Sequence, residues 1–172
     1  WWYKKDGQTK NNTGGNGPEY IFSFKSNNGH WSGGSMAGFL EGNNTLAAVK
    51  VFVVDKDGKD PWFTWENAEQ IPGLLNNQWR HMALVYTAAN STMTLYIDGV
   101  PNPIKKTPNA DLKELDLDDS KITEFRVGAG PGGNLNSDDW LSSTFKGELD
   151  QFRMYTTALS ASDISALFNN KQ

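Results

Sequence analysis

Cysteine is absent from the chain, which excludes disulfide staples and any thiol chemistry. Only two histidines occur, His30 and His81. A zinc centre without thiolates draws on several imidazoles, so that class is excluded too. There is no Gly-x-Ser-x-Gly elbow and no glycine-rich phosphate loop closing in Lys-Ser/Thr. No apolar run approaches the roughly 20 residues that span a bilayer as a helix. Positive charge is also in short supply. With a net charge of -4 the chain offers no basic footprint for nucleic acid or for an anionic membrane. Repeats and low-complexity tracts are missing.

What is present is glycine, amide and aromatic side chains. The 172 residues hold 17 Gly and 7 Trp, with 37% hydrophobic and 21% charged residues. That is the composition of one loop-rich globular domain, long enough to bury a real core. The stretch Asn77 to Gly99 is its clearest structural statement. Trp79 to Tyr86 places Trp79, His81, Ala83 and Val85 on one face and Arg80, Met82, Leu84 and Tyr86 on the other, as strand alternation requires. Apolar residues on both faces predict a central strand covered on both sides, with Trp79 in the core and His81 in a packed structural role. Met93 to Ile97 alternates as a second strand, and Asp98-Gly99 is a turn signal.

Further runs read as strands at Trp1–Lys5, Glu19–Lys25, Ser35–Leu40, Leu46–Val54, Lys121–Gly128 and Phe145–Tyr155. Pro61–Glu66 reads as a short strand or a loop. Leu159–Phe168 reads as a helix: Ser160 is a good N-cap, Asp163 completes a capping box, and Leu159 with Ile164 forms a hydrophobic staple. Many short strands and one terminal helix predict an all-β fold, an antiparallel β-sandwich without an internal domain boundary.

Two stretches carry a resemblance. The run Trp79-x-His81-x-Ala83, a polar loop and Leu95-Tyr96-Ile97-Asp98-Gly99 form the first. The second is Gly147 to Phe168, with its Leu149-Asp150 pair, a strand ending in Tyr155, and Ala158-Leu159-Ser160 before Asp163-Ile164. Both resemble laminin-G-like (pentraxin-type) domains of the concanavalin A-like lectin/glucanase superfamily, of the kind carried by bacterial surface proteins. The resemblance implies a jelly roll with a short C-terminal helix over 1–172. It also implies that a family strand ahead of Trp1 is missing. The chain is therefore expected to be the C-terminal part of a longer secreted or surface protein, in an extracellular, cell-surface or periplasmic location.

The superfamily contains glucanases whose catalytic strand presents alternating carboxylates, close enough to flank one glycosidic bond. Here Glu148 and Asp150 begin such a series, but Phe152 stands where the second Glu is needed. No catalytic residue is expected. Asp55 to Asp60 superficially resembles half an EF-hand loop and reads better as a hairpin turn; the acids between Asp111 and Asp119 read as a solvated loop. In many relatives the Asp of the closing motif is associated with a structural calcium, so Asp150 is the one metal candidate, by resemblance.

Aromatics are the remaining lead. Trp31, Trp62, Trp65 and Trp140 lie in or beside loops rich in Gly, Asn, Asp and Ser. An indole face packs on the C–H face of a pyranose, and neighbouring polar side chains fix hydroxyls. His30 and Asp139 are the polar partners next to Trp31 and Trp140. The expectation is a non-catalytic carbohydrate-binding module whose partner is a polysaccharide or other glycan. The alternative is a protein-interaction, adhesion or spacer module; a glycoside hydrolase ranks third.

Overall fold

Strands β1 to β11 alternate with loops along the chain, and one helix closes it. The computed structural model describes residues 1–7, 17–42, 45–108, 112, 116–118, 120–137 and 139–171. In chain order the strands are β1 (Trp2–Asp6), β2 (Glu19–Ser26), β3 (Gly34–Gly42), β4 (Leu46–Val53), β5 (Trp62–Trp65) and β6 (Ile71–Pro72). They continue with β7 (Asn76–Thr87), β8 (Thr92–Ile97), β9 (Val100–Pro101), β10 (Ile122–Val127) and β11 (Glu148–Asp150), then helix α1 (Ala161–Asn169). One sheet runs β11-β1-β7-β8-β9 and the other β10-β2-β3-β4-β5, with β6 paired to β4; every pairing is antiparallel.

Alternation decides what lies between the sheets. Val49, Val51 and Val53 of β4 point inward, as do Phe63 and Trp65 of β5. They meet Tyr3, Met82, Met93 and Leu95 of the opposite sheet. The intervening residues of the six-stranded sheet face outward and form a second apolar layer, described below. The five-stranded sheet is covered outside by α1, where Ile164 packs with Val85 and Tyr96. β7 is therefore buried on both faces, as its two-sided apolar pattern requires.

The turn from β8 to β9 closes as its chemistry dictates. Asp98 and Gly99 both have positive φ, 51° and 78°, the geometry of a two-residue hairpin turn. Asp98 also ties the hairpin back to β7: its Oδ1 accepts from the His81 amide at 2.9 Å, and its Oδ2 pairs with Arg80 Nη1 at 3.0 Å. The turn lies under α1, where a Cβ on Gly99 would meet Phe168 at 3.1 Å. His81 is buried against Trp2 and Phe168, with ring centroids 5.3 and 6.1 Å away. Burial pushes its imidazole down to about 4.

Helix α1 begins on the expected capping box: Asp163 N donates to Ser160 Oγ at 3.2 Å, and Ser160 N donates to Asp163 Oδ2 at 2.9 Å. Leu159 and Ile164 pack in one cluster, as a staple does. Two expectations need correction. Trp79 is half-buried, not core, with Lys171 Nζ 4.4 Å from its ring centre. The last strand is three residues long, not the whole of Phe145–Tyr155. It stops where Gln151 turns left-handed, φ 48°, and 151–155 leaves the ladder.

Candidate functional site

The outer face of the six-stranded sheet gathers a band of aromatic side chains with charged groups at its ends. Phe39 on β3, Phe52 on β4 and Tyr20 on β2 project from it, and Trp62, the first residue of β5, joins them. Trp62 lies 5.2 Å from Phe52 and 6.2 Å from Phe39, ring centre to ring centre.

Trp140 reaches the same place from far along the chain. The loop after β10 folds back over the sheet, held by Arg126, whose Nη1 donates to the carbonyls of Gly130 and Gly132 at 2.8 and 2.7 Å. Gly130 lets the loop lie this close: a Cβ there would stand 2.7 Å from the Tyr20 ring and 2.2 Å from Leu141 O. The loop then delivers a short 3-10 turn, Trp140–Ser142. Trp140 meets Phe39 edge-on at 5.2 Å and 90° and lies 6.4 Å from Trp62. Asp139 precedes it as the turn's exposed cap, accepting from Leu141 N at 3.4 Å.

One carboxylate organises the end of this aromatic band. Asp60 Oδ2 accepts from Trp31 Nε1 at 3.1 Å and from Trp62 Nε1 at 3.3 Å. The same oxygen is 4.0 Å from His30 Nε2. His30 is held from behind: its Nδ1 lies 2.8 Å from Ser32 Oγ and 3.3 Å from Ser32 N, so Nε2 is the ring nitrogen that faces Asp60. Burial lowers the His30 pKa, while the Asp60 charge raises it; burial prevails and the ring is neutral at pH 7. The His30 and Trp31 rings are 5.4 Å apart and tilted by 48°. Trp31 is nevertheless 60% exposed, an indole anchored at its N–H edge with its surface in water.

At the other end stands a charge cluster on the same face. Lys50 of β4 reaches Glu41 Oε2 at 2.8 Å and Glu66 Oε2 at 2.9 Å. The hydrogen bond from Lys50 holds the Glu66 carboxyl below the usual range. Two carboxylates flank one ammonium beside the aromatic band, so charge and ring surface adjoin.

The sequence-based candidates divide accordingly. His30, Trp31, Trp62, Trp140 and Asp139 come together along one sheet face. Trp65 does not join them: it is 0% exposed, points between the sheets, and donates its Nε1–H to Ile104 O at 2.8 Å. Alternation on β5 puts it on the face opposite Trp62, so no ligand reaches its ring. Asp60 and the Glu41–Lys50–Glu66 cluster were absent from that set. Asp60 lay in a segment that reads as a turn; an acid two residues before a Trp was the available signal.

Asp150 is exposed on the edge strand β11, paired in the ladder with Trp2. Calcium needs six to eight oxygens. Among the described residues no three His, Cys, Asp or Glu side chains gather as a group to hold a metal; calcium also draws on backbone carbonyls. Of the acidic loop, Asp111, Glu114 and Asp119 lie outside the described residues; Asp116 is buried with Lys121 Nζ at 3.3 Å. Asp55 accepts the amides of Asp57 and Lys59 at 3.0 and 2.9 Å, the bonding of a turn, not of an EF-hand loop. On β11, Glu148 pairs with Lys4 at 3.1 Å, and beyond the strand Phe152 packs on Trp1.

Comparison with known proteins agrees with this architecture. Among curated proteins none matches. Among solved structures the chain is similar to a native heptameric SAP-like pentraxin from Limulus polyphemus, at 15% identity and a TM-score of 0.63. That likeness covers 97% of this chain and 67% of the pentraxin. A weaker likeness, with a TM-score of 0.43 at 23% identity, is to an S-layer domain-containing protein (residues 221–444) from Clostridium thermocellum, covering 88% of this chain and 63% of that one. The family model Laminin_G_3 matches residues 6–165. That match spans nearly all the strands described above, and by it the chain belongs to the concanavalin A-like lectin/glucanases superfamily.

Proposed function

We propose that this domain is a non-catalytic glycan-binding module of a secreted or surface protein, and that its site is the outer face of the six-stranded sheet around Trp31 and Asp60. The observation that carries the reading is Trp31. An indole that is 60% exposed costs apolar hydration, yet Asp60 holds it in one place. A fixed aromatic platform loses little conformational entropy when a sugar ring stacks on it. Trp62 and Trp140 extend the surface, and the carboxylates and Lys50 supply hydrogen-bonding groups of the kind that orient hydroxyls.

Binding in place of hydrolysis is supported by the carboxylates themselves. Hydrolysis of a glycoside needs one protonated and one ionised carboxyl about the scissile bond. Past the end of β11, the place in sequence where a second carboxylate would follow Glu148 and Asp150 is held by Phe152, in an aromatic cluster with Trp1, Phe22 and Phe125. The hydrogen bond from Lys50 lowers the Glu66 pKa, the wrong setting for a general acid. An extracellular, cell-surface or periplasmic location accords with this reading. No helix among the described residues is long and apolar enough to cross a membrane.

The test is titration against a panel of polysaccharides, with Trp31→Ala and Trp140→Ala measured alongside. Binding by the parent that both substitutions weaken supports the site. Binding that neither substitution changes would move it elsewhere.

A further inference from the structure

Each sheet has two rims, and three of the four are blunted. β9 is two residues long and ends in Pro101, β11 is three residues long, and β5 is four, with Pro61 just ahead of it. Short strands and proline keep a sheet edge from pairing with another chain. The fourth rim, β10, has neither device. It is six residues long, Ile-Thr-Glu-Phe-Arg-Val, without Pro or Lys. β2 pairs with one side of it, and among the described residues no strand pairs with the other.

The register of β10 on β2 decides which of its groups are free. Gly128 N donates to Ile21 O at 2.7 Å, so Gly128 bonds toward β2. Alternation along an antiparallel ladder then turns Arg126 and Glu124 toward β2 and directs the amides and carbonyls of Phe125 and Val127 outward. The open length is bounded at both ends. At one, Lys121 N and Ile122 N both donate to Asp118 O, at 3.0 and 3.1 Å; at the other, Phe145 N donates to Gly128 O at 2.8 Å. Between them lie Thr123 to Val127, with Phe125 at the centre. Phe125 and Val127 share a face with Phe24 and Phe22 of β2, and each is 45% exposed. Phe125 is held there by Phe24 and Phe152, with ring centres 4.8 and 5.6 Å away. On the other face the Glu124 carboxylate joins Lys25 Nζ at 3.0 Å and Arg126 Nε at 2.7 Å.

We infer that β10 pairs antiparallel with β10 of a second copy of this chain, about a two-fold axis at Phe125, and joins the two six-stranded sheets into one. Outward-directed residues must meet outward-directed residues, so the register moves only in steps that set the axis at Glu124, Phe125 or Arg126. An axis at Glu124 places carboxylate against carboxylate, and an axis at Arg126 places guanidinium against guanidinium. Like charges directly opposite destabilise a strand pair. An axis at Phe125 sets Glu124 of each copy opposite Arg126 of the other, so the two ion pairs within the copies become a ring of four alternating charges. It also lays Phe125 against Phe125 and Thr123 against Val127, and it uses the whole open length. The strand carries both members of the charge match at the spacing a two-fold requires, which selects a second copy over a peptide of another sequence. That axis is normal to the sheet, so the outer faces of both copies, and with them both Trp31 side chains, lie on one side of the dimer.

The inference does not rest on the glycan reading. Sedimentation velocity over a concentration series reads the association, and cysteine cross-linking reads the register. The chain has no cysteine of its own, so one introduced thiol reports one position. Residues facing each other in a hydrogen-bonded antiparallel pair have Cα atoms about 5.5 Å apart, within reach of a disulfide. Phe125→Cys is expected to form a covalent dimer under mild oxidation. Val127→Cys, at an equally exposed position, is expected not to, because the two copies of that position stand about 14 Å apart. Glu124→Arg, which sets like charges opposite at both ends of the ring, is expected to weaken self-association by roughly 10-fold or more. The inference is overturned by a parent that sediments as a monomer at every concentration, by Phe125→Cys cross-linking no better than Val127→Cys, or by a Glu124→Arg variant that associates as tightly as the parent.

Discussion

Single side chains carry the two sharpest consequences. His81 is buried and neutral, with its pKa down at about 4 against an unfolded value near 6.5. The unfolded chain binds more protons between those values. Stability is therefore lost as pH falls from about 6.5 toward 4, by an amount on the order of 2 kcal/mol. His81→Gln is expected to melt lower than the parent at pH 7 but to flatten this part of the profile, measured by thermal unfolding at a series of pH values. If the variant and the parent lose stability in parallel over that range, His81 is not the titrating group. His30 behaves differently in consequence. Its lowered pKa favours the neutral ring, so glycan binding is expected to be level from pH 7.5 to 8.5, a range in which titration calorimetry is straightforward.

Trp31 is the other decisive residue. Stacking by one aromatic contributes about 1 kcal/mol beyond buried area, so Trp31→Ala is expected to weaken binding by about 10-fold with little change in melting temperature. It was legible in sequence as a candidate because Gly, Asn and Ser around a Trp form no alternating apolar pattern that would draw the indole into a core. Trp65 had the same kind of neighbourhood and went the other way. One step of strand alternation separates Trp62, half-exposed on the outer face, from Trp65, buried beneath it, once Trp62–Trp65 is known to be a strand. PWFTWE alone left strand and loop open, and with them the side to which each indole turned.

Elements were easier to read where the chemistry was local. The β7–β8 hairpin, the Asp98-Gly99 turn and the capped helix follow from residues close in sequence. Ser160→Ala removes the hydroxyl that accepts the Asp163 amide, and is expected to cost about 1 kcal/mol in chemical denaturation; an unchanged midpoint would show that α1 is held by its packing alone. β11 was misread because its length depends on a neighbour. FRMY has strand character, but a strand needs a partner, and β1 supplies one only as far as Trp1.

The joint between β1 and β2 was not legible at all. Lys5 and Glu19 are 3.5 Å apart with both side chains 2% exposed, and Glu19 Oε2 also accepts the amide of Lys146 at 3.0 Å. Buried ion pairs are costly to break and cheap to replace. Glu19→Leu alone is expected to destabilise by about 3–5 kcal/mol, whereas Lys5→Met with Glu19→Leu recovers most of the loss. A double variant as unstable as the single one would show that Glu19 matters through Lys146 and not through Lys5.

At the scale of the molecule, the sandwich was recoverable because period-two alternation and turn residues specify it without long-range information. The site was recoverable only in pieces. Trp31, Asp60, Trp62 and Trp140 come from three connections distributed over more than a hundred residues, and what joins them is the folding of the Gly130 loop onto Tyr20 and the choice of one carboxylate as acceptor for two indoles. Neither has a local signature. The division of labour follows: the β7–β8 hairpin and α1 fix the five-stranded sheet, while the loops over the other sheet carry the proposed recognition surface.

That division is tested most directly by calorimetric titration of one polysaccharide panel with the parent domain, Trp31→Ala and Asp60→Ala. Asp60→Ala removes no ring, only the carboxylate that holds Trp31 and Trp62. The expected result is a parent that binds at least one polysaccharide, both variants weaker by about 10-fold, and all three with the same fold by circular dichroism. A parent that binds no member of the panel, or an Asp60→Ala variant that binds as the parent does, would contradict the account.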